Sequence, residues 1–153
     1  MAALELKVPP PLVALLAGAA MWAVSRVTPA IAAGGLAGTI VAAIIALIGV
    51  GISASGVIAI RRAKTTTSPL KPETASSLVT NGIYRITRNP MYLGLLVMLM
   101  GWAIYLFNVW TILGPVVFAV FITRFQIKPE ERILSSLFGK EYAEYSSKVR
   151  RWL

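Results

Sequence analysis

Three stretches of the chain, residues 8–25, 27–60 and 89–123, contain no charged side chain. Apolar runs of about 18 residues or more are long enough to cross a hydrocarbon layer as helices, so the pattern predicts membrane spans. The first predicted helix covers 12–27 and ends near Pro29, because proline lacks an amide donor and disfavours helix at the residue before it. Ala33, Gly34 and Gly35 then form an outer turn. A second helix follows over 36–60. Its small residues Gly49, Gly51, Ser53, Ala54, Ser55 and Gly56 allow a neighbouring backbone to approach closely, and Arg61, Arg62 and Lys64 stop it at an interface.

The third run is too long for one crossing, since 35 residues at 1.5 Å each reach roughly 52 Å against a core of about 30 Å. Asn108 lies near its middle, with Gly114 and Pro115 shortly after, and this predicts a tight hairpin with helices over 91–107 and 109–124. Trp102, Tyr105 and Trp110 suit an interfacial belt at its tip. Charge supports the hairpin independently. The segments 61–88 and 124–151 hold thirteen of the fifteen basic residues, and a hairpin returns both to one side, the cytoplasmic side by the positive-inside rule.

Beyond the hairpin, Lys128 and Pro129 interrupt the chain, and Pro129 followed by Glu130 and Glu131 suits the start of a new helix. Leu134, Leu137, Phe138, Tyr142 and Tyr145 recur every three or four residues and give that helix one apolar face, with a bend at Gly139. The basic end, Lys148, Arg150, Arg151 and Trp152, is expected to touch lipid headgroups. The expected fold is an all-α integral membrane bundle of about four transmembrane helices with a cytoplasmic C-terminal amphipathic helix, both termini lying on the cytoplasmic side. It forms a single domain over 1–153.

Composition narrows the chemistry. With 57% hydrophobic residues and 14% charged ones, a chain of 153 residues exceeds what one soluble core can hide. The net charge of +9 sits beside apolar segments, which favours membrane lipids as partners and argues against nucleic acid. Without cysteine or histidine there are no disulfides, no thiolate or imidazole metal sites, no cysteine nucleophile and no histidine base, so no metal is expected. Aspartate is missing too, and six glutamates are the only side-chain carboxylates.

Two polar segments, 71–90 and 128–134, flank the hairpin on one side. Arg85, Arg88, Glu130 and Glu131, with unpaired backbone groups at helix ends, offer both signs of charge at a partly desolvated rim. A zwitterionic ligand would find complementary groups there. The plainer readings are snorkelling arginines and helix N-terminal carboxylates.

Four ordered segments sharpen the choice: Leu78-Val79-Thr80-Asn81-Gly82-Ile83-Tyr84, Arg88-Asn89-Pro90-Met91-Tyr92-Leu93-Gly94, Glu130-Glu131-Arg132-Ile133-Leu134 and Phe138-Gly139-Lys140-Glu141-Tyr142. Together they resemble the isoprenylcysteine carboxyl methyltransferase family, related to membrane phospholipid methyltransferases. The resemblance covers a core over 61–152, whereas the first helices, 12–60, contribute little to it. It implies a pocket for S-adenosylmethionine with Ser76, Ser77, Leu78, Val79 and Tyr84 along one wall. Arg88, Asn89, Pro90, Met91 and Tyr92 would form another. Glu130 matches the family's cofactor-binding glutamate, with Glu131 as its partner, and a carboxylate suits ribose hydroxyls or an ammonium.

Two positions depart from the eukaryotic pattern. Asn89 stands where those members usually have histidine. Gln126 stands four before Glu130, where they place a substrate-contacting arginine, so Gln126 is the candidate substrate residue and prenylcysteine carboxylate is doubtful as substrate. The resemblance thus implies S-adenosylmethionine-dependent methyl transfer to a lipophilic substrate through a carboxylate, amine or thiol. No general base can be named. A sterol-reductase-like membrane enzyme using NADPH and a non-catalytic membrane scaffold are the alternatives.

Overall fold

The computed structural model describes residues 5–31, 35–63 and 72–153. The predicted outer turn at Ala33 and Gly34, together with Lys64 and Lys71, lies outside them. The α-helices are α1 (Pro10–Val27), α2 (Gly35–Arg62), α3 (Pro90–Tyr105), α4 (Leu113–Ile122) and α5 (Lys128–Lys148), with no strand among the described residues. α1 and α2 are each long and apolar enough to cross a membrane. α3 and α4 are shorter apolar helices joined as the predicted hairpin.

α2 is packed inside out relative to a helix of a water-soluble protein. It buries Ala42, Gly49 and Gly56 and turns Leu47, Ile48 and Val50 outwards. Leu47 is 69% exposed, and Leu15 of α1 and Val120 of α4 are 70% and 65% exposed. Such surfaces are unfavourable against water and matched by hydrocarbon, whereas close helix contacts in lipid come from small residues. The chain is an integral membrane protein.

The α2–α3 seam shows how close that contact is. A β-carbon on Gly49 would lie 2.6 Å from the Gly94 carbonyl oxygen, and one on Gly101 would lie 2.8 Å from the Ala42 carbonyl oxygen. The Ser53 hydroxyl adds a bond, donating to the Met91 carbonyl at 2.9 Å. Gly51, grouped with these from sequence, faces open space, and Ser55 donates back to Ile52 of its own helix.

At one end of the bundle Asn108 closes the hairpin. Its Oδ1 accepts from Trp110 N at 3.0 Å, and its Nδ2 donates to Thr28 Oγ1 at 2.8 Å and to the Pro29 carbonyl at 3.1 Å, fastening the turn to the end of α1. Tyr105 and Trp110 are exposed at this tip as expected. Trp102 is not a belt residue. Its indole Nε1 donates to the Gly18 carbonyl of α1 at 3.0 Å, because an N–H inside hydrocarbon must find its acceptor within the protein.

At the opposite end the expected break before α5 is absent. Helix continues from α4 into α5 through a π-type turn, Thr123–Ile127. Pro129 removes a donor and would crowd the Phe125 carbonyl four residues earlier; the wider turn relieves this, and the released carbonyl accepts from Leu6 N at 3.0 Å. Glu5 pairs with Arg124 at 3.3 Å and with Arg132, so the N-terminal segment docks where α4 meets α5. The predicted bend at Gly139 is present, with φ 48° and ψ −115°, a conformation suited to glycine. Tyr142 and Tyr145 lie on the buried face of α5, while Leu137 points outwards.

Candidate functional site

A cavity opens at the end of the bundle where the N-terminal segment docks. Its walls come from the loop before α3, the first turn of α3, and α5. Ser77, Leu78, Val79 and Tyr84 line one side, and Arg88, Asn89, Pro90, Met91 and Tyr92 a second. Glu130, Glu131, Tyr142 and Tyr145 close it from α5. Residues more than 35 positions apart in sequence meet here because the α3–α4 hairpin returns the chain to its starting level. Ser76 sits on the same loop outside the lining, and Arg85 is exposed.

Local sequence explains the walls. Gly82 takes φ 58°, which lets the chain turn into a short 3₁₀ segment, Gly82–Arg85, that buries Tyr84. Tyr145 donates to the Tyr84 carbonyl at 2.7 Å and ties this segment to α5. Pro90 starts α3 at a position where its missing donor costs nothing, and so presents Tyr92 to the cavity within the first turn.

Two of the charges lining the cavity, Glu130 and Arg88, are held differently. Glu130 receives the Tyr92 hydroxyl at 3.0 Å and has no basic partner among the described residues. Burial pushes its carboxyl up to about 7; the Tyr92 bond opposes the shift and the neighbouring Glu131 adds to it. Arg88 gives Nη2 to Glu131 Oε1 at 3.1 Å and Nη1 to the Tyr142 hydroxyl at 3.2 Å. Its Nε is buried without an acceptor among the described residues. Burial also raises the phenols of Tyr84, Tyr142 and Tyr145, Tyr142 to about 12, so these remain protonated donors near neutrality.

Some sequence expectations relocate. Glu131 is taken by two guanidinium groups, Arg88 and Arg151. Asn89 donates its Nδ2 to the Arg151 carbonyl at 2.9 Å. Gln126 is fully buried beside the docked N-terminal segment, donates to the Val8 carbonyl at 2.7 Å, and does not line the cavity. Arg151 and Trp152, expected at headgroups, instead face inwards to Glu131 and to Thr123. Composition placed them at the membrane surface because a terminal basic–aromatic cluster looks the same whether it faces lipid or protein.

The donor set fits an amino-acid-like ligand. An unsatisfied buried N–H calls for an anionic or carbonyl oxygen, and a buried carboxylate without a cation calls for an ammonium, a sulfonium or hydroxyls. Leu78, Val79, Leu134 and Ile60 supply an apolar wall for a flat ring system. No group of His, Cys, Asp or Glu able to hold a metal ion occurs among the described residues.

The phospholipid methyltransferase family matches residues 37–141. An uncharacterized protein of Haemophilus influenzae is 49% identical over 63 residues, covering 41% of this chain and all of that protein. Protein-S-isoprenylcysteine O-methyltransferase A of Arabidopsis thaliana is 34% identical over 109 residues, 69% of this chain and 54% of its own length. The B form is 36% identical over 83 residues, 52% of this chain and 41% of its own. The chain therefore spans about half the length of the plant enzymes it matches. No solved structure matches it significantly. The chain belongs to the phospholipid methyltransferase family.

Proposed function

We propose that this protein binds S-adenosylmethionine in the cavity between the pre-α3 loop and α5, and transfers its methyl group to a lipophilic substrate at the cytoplasmic membrane face. The observation that carries the reading is the Arg88 Nε, buried without an acceptor, on the same cavity as the Glu130 carboxyl, which receives the Tyr92 hydroxyl and has no basic partner among the described residues. Arg88 would receive the methionyl carboxylate, and Glu130 the ammonium or ribose hydroxyls. Tyr92 orients Glu130, and Leu78, Val79 and Leu134 cover the adenine.

When bound, that cofactor supplies a methyl on a sulfonium, already an activated leaving group, so the protein's task is alignment and exclusion of water. Missing histidine and cysteine are compatible with this. The acceptor carries a carboxylate, amine or thiol and reaches the site laterally from the bilayer. Cytoplasmic placement rests on the basic segments: Arg85, Arg88, Arg124, Lys128 and Arg132 gather at the cavity end, and Glu5 docks the N-terminal segment there. The first helices and the family core act as one membrane domain.

Isothermal titration of the purified full chain with S-adenosylhomocysteine tests the reading. Wild type binds, and Glu130→Gln weakens binding by about 10- to 100-fold, as expected for a charge-assisted contact of about 1.5–3 kcal/mol. Displacement by NADPH would favour the reductase alternative. A folded wild type that binds no S-adenosylhomocysteine sinks the proposal.

A further inference from the structure

The C-terminal tail has contacts that a headgroup anchor does not need. After α5 the chain lays residues 150–152 against the segment preceding α3. The Arg150 carbonyl accepts Arg88 N at 3.1 Å, and the Arg151 carbonyl accepts Thr87 Oγ1 at 3.3 Å and Asn89 Nδ2 at 2.9 Å. Trp152 Nε1 donates to Thr123 Oγ1 at 3.2 Å. The bonds to the Arg150 and Arg151 carbonyls hold the Arg151 side chain where its Nε and Nη2 grip the two oxygens of Glu131, at 3.0 Å and 2.7 Å.

Two guanidinium groups therefore share one carboxylate, and they share it unequally. Arg151 makes the paired, parallel contact. Arg88 has a single contact, Nη2 to Oε1 at 3.1 Å, although its Nε points along the same edge of the guanidinium. A lone arginine facing a carboxylate prefers the two-bond fork, which here would consume that Nε. It stays without an acceptor because Glu131 is already committed.

We propose that Arg151 is a positioning residue for Arg88: by forking onto Glu131 it keeps that carboxylate from closing on Arg88 and leaves the Arg88 Nε directed to an anionic oxygen of the ligand. Naming the ligand rests on the cofactor reading above; the geometry does not. The tail also pins the Arg88 backbone, so the side chain is set from both ends.

The test uses the full chain in lipid nanodiscs. Arg151→Gln frees Glu131 to fork onto Arg88, and S-adenosylhomocysteine affinity falls by about tenfold, the scale of one charge-assisted contact. Arg151→Lys, which keeps charge but not the fork, falls in the same direction by less. Adding Glu131→Gln to Arg151→Gln removes the competitor and restores affinity to within about threefold of wild type, a rescue opposite in sign to additive damage. Trp152→Phe loses the bond to Thr123, lowers the melting temperature and leaves affinity unchanged, separating a fastening role from a positioning one. The ¹⁵Nε–¹H resonance of Arg88 reads the same rearrangement without ligand: it moves in Arg151→Gln and returns in the double variant. Additive losses, or an unmoved resonance, overturn the positioning role. A moving resonance in a protein that binds no S-adenosylhomocysteine sinks the cofactor reading and leaves the positioning role standing.

Discussion

The α2–α3 seam and the cavity end are both closely packed, but they spend their side chains in opposite ways. Along the seam, glycine, alanine and serine let two backbones touch, and almost nothing but shape is at stake. At the cavity end, long side chains reach across the gap and pair with one another, while the Arg88 Nε is buried without an acceptor among the described residues. A seam of small residues tolerates no added atom. A site of long polar residues tolerates changes of shape but not of charge.

The largest expected effect breaks the seam. A β-carbon on Gly94 would lie 2.4 Å from the Gly49 carbonyl oxygen and nearer still to the Ser53 hydroxyl, so Gly94→Val must push α2 from α3. Overpacking of this kind costs about 1–3 kcal/mol and more against rigid backbone. Loss of the folded band in a detergent thermal-unfolding assay, with ligand binding lost as a consequence, is the expected outcome; unchanged unfolding would show that the helices are not in contact.

A smaller effect belongs to the cavity end and concerns pH. Burial raises the Glu130 carboxyl from 4.5 to about 7, so the folded protein holds a proton that the unfolded chain releases. The sign follows: with no ligand, stability declines as pH rises from about 4.5 to 7, because the folded state resists an ionisation the unfolded state accepts. A cationic ligand group reverses the balance, and affinity for S-adenosylhomocysteine strengthens as pH rises through about 7. Titrations across this range should show both slopes in wild type and neither in Glu130→Gln; equal slopes in the two proteins would remove Glu130 from the site.

The smallest effect sharpens the boundary of the seam. Gly51 belongs to the same small-residue cluster in sequence but meets nothing within 4 Å. Gly51→Ala should leave binding untouched and raise stability by up to about 1 kcal/mol, the helix-propensity difference. A loss as large as at Gly94 would extend the seam to that face of α2.

Much of this molecule was legible in the order of its residues. The uncharged runs placed α1, α2 and the hairpin, and Asn108 marked the turn, because helices in lipid must satisfy their own backbone and so advertise their length. The motif segments around Tyr84, Arg88, Tyr92 and Glu130 meet at one cavity. α5 starts at Lys128 with Pro129 in its first turn, as the sequence suggests, but the chain is not interrupted before it. Pro129 reads as a helix break, but a π-type turn and the docked Leu6 amide absorb it.

What the sequence by itself determined is the membrane class, the hairpin and the gathering of basic segments at one end, since hydropathy and charge act locally and need no partner. Only the tertiary structure decided which of the many charges are occupied. Glu131 is paired with Arg88 and Arg151, Gln126 serves the N-terminal segment, Trp102 serves α1, and Arg151 turns inwards. Each outcome depends on a contact between residues far apart in the chain, and a hydrogen bond's worth is set by the competing partners that folding brings within reach.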